Sequence, residues 1–181
     1  NKTIAAISTA RGKGGVALIR ISGDNALEIA KRVFKLKSNK IEPRKSYYGE
    51  ILRDGEIIDD GILTYFQAPA SFTGEDVCEI CCHGGIYVTQ AVLECVLSSG
   101  AALAGAGEFT KRAYINGKLT LSRAEAIGQV IDAKTDSQLR LSSSLARGNL
   151  SNKIEGIREK IVGCVSHAYA TIDYPDEDIT E

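Results

Sequence analysis

Alternating apolar and polar residues in the first part of the chain predict short β-strands. Residues 3–8 and 16–21 are expected to form two strands joined by a glycine-rich turn. Asp24 or Asn25 can then cap a helix, because a short polar side chain accepts hydrogen bonds from the first helical N–H groups. The residues that would share the apolar face of this helix are Leu27, Ala30 and Phe34.

A tight hairpin is predicted around the Asp54-Gly55 pair, since both residues tolerate the positive φ angles of such a turn. The flanking segments Tyr47–Leu52 and Ile57–Phe66 have the composition of strands. Two antiparallel strands are therefore expected on either side of the turn.

A further strand and helix are predicted after the loop that contains Pro69. Val77–Cys82 has the pattern of a strand, and Ile86–Ser98 has apolar residues at helical spacing. Gly100 can close this helix in the left-handed conformation. Residues 1–118 are thus expected to form an α+β domain, a mixed sheet with helices.

The pattern changes at Leu119, where strand signals stop and an all-α segment is predicted for residues 119–181. Ser122 and Glu125 have the spacing of a capping box, which would begin the first helix. A second helix should end at Gly148.

A third and longer helix is predicted from Leu150 to Ile172, where apolar residues recur every three or four positions. The resulting apolar stripe needs a partner helix to cover it. The acidic segment Asp173–Asp178, which contains Pro175, is expected to end the helix.

The composition is ordinary for a globular protein, with 181 residues, 44% hydrophobic and 25% charged, and a formal net charge of −1. No overall positive field is available to hold nucleic acid, so contact with RNA would need a local patch. No apolar run is long enough for a membrane span and no signal peptide is evident, so we expect a cytoplasmic protein without membrane contact. Because methionine is absent, we also expect that the chain is not the complete native product.

Three charged residues are candidates for a binding site. Arg20 lies within the apolar run Val16–Ile21, and Glu79 lies within the predicted strand Val77–Cys82. A charge on an apolar strand face must be paired or solvated. An arginine that reaches water from an edge strand, a structural Arg20–Glu79 ion pair and a bound ligand all meet this requirement. Lys118 follows an Asn-Gly turn, where a solvated lysine is equally ordinary.

Neither a nucleotide site nor a metal site is expected. Gly12–Gly15 precedes a strand, whereas phosphate loops need a helix N-terminus, and no Gly-x-x-x-x-Gly-Lys-Ser/Thr sequence occurs. Cys78 and Cys81 would point to opposite faces of a strand, so with Cys82 and His83 they form no zinc set. The two histidines complete no catalytic constellation, and the five cysteines are expected to be reduced and mostly buried.

Several segments combine charged, aromatic and glycine residues in an order that strand and helix periodicity does not explain. They are Thr3–Thr9, Gly12–Gly23, Ser71–Val77, His83–Gly85, Gly107–Tyr114 and Asn116–Leu119. In these segments the chain resembles the N-terminal part of the tRNA-modification GTPase family called MnmE or TrmE. The likeness extends over nearly all of the sequence.

The resemblance implies a tetrahydrofolate-binding and dimerisation domain at residues 1–118, similar in fold to the folate-binding domain of glycine-cleavage T-proteins. Residues 119–181 would be the N-terminal part of a helical domain. The folate-contacting arginine, glutamate and lysine of the family fall on Arg20, Glu79 and Lys118. The implied cofactor is 5-formyltetrahydrofolate or 5,10-methylenetetrahydrofolate. GTP, Mg²⁺ and K⁺ would belong to a GTPase domain that this chain lacks.

Complete members of the family are implied to be homodimers that act with a flavoprotein partner, MnmG or GidA. They would install a C5 aminomethyl-type modification on the wobble uridine of tRNA, with potassium-dependent GTP hydrolysis. By this resemblance the chain supplies the folate site and the dimer contact, and contains no catalytic residue. Two alternatives stay open: a free-standing folate-dependent one-carbon (aminomethyl) transferase, and an assembly module without a ligand.

Overall fold

The computed structural model describes residues 2–36 and 41–173. The chain divides into two compact units, Asn1–Leu119 and Thr120–Glu181. The described part of the first unit contains strands and helices, and that of the second contains helices alone. The predicted fold class, α+β followed by all-α, is confirmed. The predicted helix end around Pro175 lies outside the described residues.

One seven-stranded sheet forms the centre of the first unit. Its strands are β1 (Ile4–Ile7), β2 (Val16–Ser22), β3 (Phe34–Leu36), β4 (Ser46–Arg53), β5 (Glu56–Phe66), β6 (Val77–His83) and β7 (Ala102–Leu103). Their order across the sheet is β3-β4-β5-β6-β2-β1-β7. The pairings are antiparallel except that of β1 with β7, which is parallel. This topology places β6 and β2 in the middle of the sheet.

Two helices, α1 (Ala26–Val33) and α2 (Ile86–Ser98), cover one face of the sheet. Strand alternation decides which side chains they bury. In β2, Ala17, Ile19 and Ile21 belong to the core, while Leu18 and Arg20 lie half-buried on the opposite face. The open face of the two central strands therefore carries the polar side chains.

The hairpin between β4 and β5 forms as predicted, with Arg53 opposite Glu56. Asp54 and Gly55 adopt φ angles of 52° and 88°, the positive values that a tight hairpin turn requires. Within the described residues β5 pairs with β6 only over Ile62–Phe66, while β3 pairs with β4 over Gly49–Ile51. The tip of the hairpin, Leu52–Arg53 with Glu56–Ile57, is therefore a two-stranded ribbon.

The first unit differs from prediction at four places. Phe34 begins β3 instead of continuing the helix, because its backbone pairs with that of Ile51. Its side chain is buried in this position on the sheet. Asn25 occupies the cap position of α1, but its side chain makes no capping hydrogen bond. The helix α3 (Glu108–Ile115) and the short strand β7 were not predicted.

The second unit contains α4 (Leu121–Ile131), α5 (Asp136–Ala146) and α6 (Asn149–Asp173). The predicted capping box is wrong, because the capping side chain is that of Thr120, which accepts a hydrogen bond from the N–H of Arg123. Ser122 lies one residue inside the helix and contacts the Thr120 hydroxyl group instead.

The long helix α6 exposes its apolar stripe. The residues of the stripe that are exposed are Leu150, Ile154, Ile157, Ile161, Val165 and Ile172. Within residues 2–36 and 41–173, no helix combines the length and apolarity that a membrane crossing needs.

Candidate functional site

An ion pair between Arg20 and Glu79 lies on the open face of the two central strands. The register of the sheet places the residues opposite each other on β2 and β6, with Thr64 of β5 opposite Glu79 on the other side. Arg20 Nε and Nη2 lie 2.8 and 2.6 Å from Glu79 Oε1. The side chains are 24% and 21% exposed, so ligand access is retained.

The geometry of the pair leaves one carboxylate oxygen available. Both nitrogens of Arg20 donate to Oε1 of Glu79, and Oε2 has no hydrogen-bond partner among the described residues. A structural ion pair would satisfy both oxygens if the guanidinium group formed its usual two-nitrogen, two-oxygen fork. The pair that the sequence analysis left as one alternative therefore exists, and it still offers an acceptor to a ligand.

Two aromatic rings flank the guanidinium group of Arg20. Its central carbon lies 5.4 Å from the ring centre of Phe72 and 5.7 Å from that of Phe109, within the range of cation–π attraction. Phe72 lies in the loop before β6 and Phe109 in the first turn of α3. Neither phenylalanine was predicted as a site residue, although both lie in the segments on which the family resemblance depends.

Lys118 lies beside the loop that carries Phe72. Its Nζ donates to the carbonyl oxygen of Pro69 at 2.9 Å, and its Cγ lies 3.2 Å from where a Cβ of Gly74 would be. No hydrogen bond or ion pair within the described residues joins Lys118 to Arg20 or Glu79. The structure thus brings two of the three predicted residues into contact and attaches the third to the loop next to them.

A largely buried polar network contains other residues of the segments on which the family resemblance depends. Arg112 of α3 donates to both oxygens of Glu75 at 3.2 and 3.0 Å and to Glu108 at 2.9 Å. Ser22 donates to Glu75 and shares a hydrogen bond with Thr73. Burial lowers the pKa of Arg112, but the hydrogen bonds and charges of Glu75 and Glu108 outweigh it and raise the pKa overall. These residues connect the loop before β6, which contains Thr73 and Glu75, to α3.

An open pocket of about 240 Å³ lies over this network and not at the ion pair. Its lining residues are Lys2, Glu75, Glu108, Lys111, Arg112, Ile115 and Asn116. None of the three predicted site residues contributes to it.

Asp59, Asp60 and His83 place groups of metal-ligand type within 4.8 Å of one another. The two oxygens of Asp59 accept from the backbone N–H of His83 at 2.9 Å and contact its ring Nδ1 at 2.7 Å. Oδ2 of Asp60 accepts from the hydroxyl of Tyr48 at 2.7 Å. Since these groups have partners within the protein, we assign no metal to them.

The contact with Asp59 is expected to be measurable in the titration of His83. Its hydrogen bond and negative charge raise the pKa of His83 above the usual 6.5. The contact of protonated His83 with Asp59 therefore stabilises the folded state below about pH 6.5. This contribution is lost as the pH rises through the folded-state pKa of His83. In an NMR titration, Asp59→Asn should lower the pKa of His83, and Asp60→Asn should lower it less. An unchanged titration in Asp59→Asn would contradict this.

The cysteines differ in environment as strand alternation requires. Cys78 and Cys82 lie in the core, Cys81 is half-buried on the other face of β6, and Cys164 is exposed on α6. Burial raises the pKa of Cys78 to about 12 and that of Cys82 to about 11.

A thiol-labelling experiment should reproduce this difference, because the thiolate is the nucleophile. At neutral pH, maleimide should modify Cys164 rapidly, while Cys78 and Cys82 react only after denaturation. Mass spectrometry of peptides would identify the labelled residues. Rapid labelling of Cys78 in the native protein would show that the core opens readily.

Comparisons with known proteins agree with this architecture. Residues 3–118 match the family described as GTP-binding protein TrmE N-terminus, and residues 121–181 match the MnmE helical domain. The chain is 47% identical over 181 residues to the tRNA modification GTPase MnmE of Clostridioides difficile, covering 98% of this chain and 39% of that protein. It is 46% identical over 180 residues to the same-named protein of Sulfurimonas denitrificans, covering 99% and 40%.

The α+β unit with its charged pair, followed by helices, thus defines the class of N-terminal domains found in TrmE-type GTP-binding proteins. The chain belongs to the MnmE family of tRNA modification GTPases. It spans about two fifths of the length of the curated relatives named above.

Proposed function

We propose that residues 1–118 bind a reduced folate, 5-formyltetrahydrofolate or 5,10-methylenetetrahydrofolate, at Arg20, Glu79 and Lys118. The chain would be the N-terminal portion of a homodimeric, cytoplasmic tRNA-modification GTPase. The complete protein would act with the flavoprotein MnmG, and the folate would donate the one-carbon unit for a C5 aminomethyl-type modification of the wobble uridine. The observation that carries the proposal is Oε2 of Glu79, which accepts no hydrogen bond from the residues that the structure describes.

The chemistry of a pterin fits this acceptor. A pterin presents an amino group and a ring N–H on one edge, and one carboxylate oxygen with two lone pairs can accept from both, as Oε1 accepts from two nitrogens of Arg20. Oε1 of Glu79 already accepts two N–H groups from Arg20, so Oε2 is the atom with capacity remaining. The ring of Phe72 is 39% exposed and provides an apolar surface for a flat heterocycle.

Lys118 can serve the other end of a folate. Its ammonium group has three donors, and among the described residues it forms one hydrogen bond, to Pro69. The remaining donors and the positive charge suit the carboxylates of a glutamyl tail. Arg20 and Lys118 would thus place two positive charges on the side of the loop where an anionic ligand binds.

Calorimetric titration of the chain with 5-formyltetrahydrofolate, 5,10-methylenetetrahydrofolate and GTP tests the proposal. Saturable binding is expected for at least one folate. No binding and no potassium-stimulated phosphate release are expected with GTP, because the sequence has no phosphate loop followed by a helix. Absence of binding for both folates would favour the assembly-module alternative. Measurable GTP hydrolysis by the chain would contradict the assignment of that activity to another domain.

Membership of the family favours this function over a free-standing transferase. The exposed stripe on α6 also favours it, since such a face is typical of a helix that packs against further helices. Homodimerisation through residues 1–118 is part of the proposal. Analytical ultracentrifugation at tens of micromolar, on the order of concentrations where specific interfaces hold, would measure it.

A further inference from the structure

The buried carboxylate of Glu75 connects the two segments that carry Phe72 and Phe109. Glu75 precedes β6 in the same loop as Phe72, and its side chain is 7% exposed. Arg112 of α3, 13% exposed, donates to both of its oxygens. Both contacts come from one nitrogen, Nη1, so Nη2 of the same planar group is left to bind elsewhere.

Three further hydrogen bonds hold these segments in place. The second terminal nitrogen of Arg112 donates to Glu108 Oε1 and to the carbonyl oxygen of Lys2, each at 2.9 Å. Asn116, after the end of α3, donates to the carbonyl oxygen of Thr73 at 2.7 Å. Thr73 is the neighbour of Phe72, and Glu108 is the neighbour of Phe109. These contacts therefore hold the residues that are next in sequence to both aromatic residues.

We propose that Arg112 and Glu75 are positioning residues for the Arg20–Glu79 site. They hold the loop against α3 so that Phe72 and Phe109 flank the guanidinium group of Arg20 and keep it on Oε1 of Glu79. Oε2 then stays open for a ligand. The expected effect on folate affinity rests on the proposed folate function. The expected effect on the placement of the two rings around Arg20 does not.

The ligand-free protein tests the positioning directly. Flanking aromatic rings displace the NMR signals of nearby protons, so the Arg20 Nε–H signal reports the two ring contacts. Arg112→Lys keeps the positive charge but has one nitrogen in place of the two that bind Glu75 and Glu108, and it should move the Arg20 signal towards that of a free arginine. The matched control is Arg53→Lys, the same change in an exposed pair with Glu94, which should leave the signal in place.

A milder variant keeps the test decisive if Arg112→Lys does not fold. Asn116→Ala removes only the hydrogen bond to Thr73 and should move the Arg20 signal in the same direction, by less. An unmoved signal in a folded Arg112→Lys protein, or in Asn116→Ala if Arg112→Lys is unfolded, would overturn the proposal.

Affinity for 5-formyltetrahydrofolate provides the second arm. Arg112→Lys should weaken binding about tenfold in the wild type but hardly at all in a Phe72→Ala background, since coupled residues give non-additive effects. Equal losses in both backgrounds would show a merely structural role for Arg112. If the wild type binds no folate, the proposed function fails, and the Arg20 signal alone decides the positioning role.

Discussion

Replacement of Arg112 by alanine is expected to lower the free energy of unfolding of the first unit by about 3–5 kcal/mol. The variant would remove the guanidinium partner of the buried Glu75, and the desolvation cost of that carboxylate would be offset much less. Urea denaturation followed on amide signals of the sheet would measure the loss.

The control for this prediction is Arg53→Ala. Arg53 forms an ion pair of similar length with Glu94, 3.0 Å, but the side chains are 41% and 47% exposed. Removal of such a pair should cost less than about 1 kcal/mol, because water screens both charges. Equal losses for the two variants would contradict the view that burial makes the Arg112 contact important.

The second large effect is expected at the proposed ligand site, where Glu79→Gln should weaken binding of 5-formyltetrahydrofolate roughly tenfold to a hundredfold. Glutamine keeps the shape of the side chain but turns one acceptor oxygen into a donor that faces the pterin donors. An unsatisfied buried group of this kind costs about 1–3 kcal/mol. Calorimetric titration of the wild type and the variant measures the difference.

Two controls separate this effect from a loss of structure. Glu94→Gln makes the same chemical change at an exposed carboxylate of α2 and should leave folate affinity unchanged. Unfolding curves for Glu79→Gln should also be recorded, because Arg20 loses a charged partner. Wild-type affinity in the Glu79→Gln protein would reduce Glu79 to a structural partner of Arg20.

Much of the fold follows from short-range patterns. The bounds of α2 match the prediction because its apolar spacing is regular and Gly100 follows its end with a φ of 115°. The Asp54-Gly55 hairpin was predictable because few other turns use two consecutive residues with positive φ. In these elements the local preference and the tertiary structure agree.

The unpredicted elements depend on contacts between distant parts of the chain. The helix α3 buries only Ala113 completely, so it has no apolar pattern to reveal it, and Arg112 attaches it to Glu75. The strand β7 has two residues and exists through its pairing with β1. The error at Ser122 has a different cause, since Thr120 and Ser122 are both suitable capping residues and only the geometry distinguishes them.

The site was predictable only in part for the same reason. Alternation placed the charges of Arg20 and Glu79 on apolar strand faces, where each had to be paired or solvated. Of the alternatives left open, the ion pair exists, whereas the edge-strand arginine is wrong because β2 is paired on both sides. The flanking rings of Phe72 and Phe109 could not be predicted, because they come from a loop and a helix with no local pattern that relates them. The assignment of Arg20, Glu79 and Lys118 to folate binding stays a prediction.

The positions of β2 and β6 in the middle of the sheet have a consequence for motion. Each is hydrogen-bonded to a strand on both sides, whereas within the described residues the ribbon Leu52–Arg53 with Glu56–Ile57 has one pairing. Amide hydrogens of strands with two neighbours exchange with solvent largely through global unfolding, while a ribbon opens locally. The backbone that carries Arg20 and Glu79 is thus expected to stay rigid. Adaptation to a ligand would involve the side chains and the loop that contains Phe72.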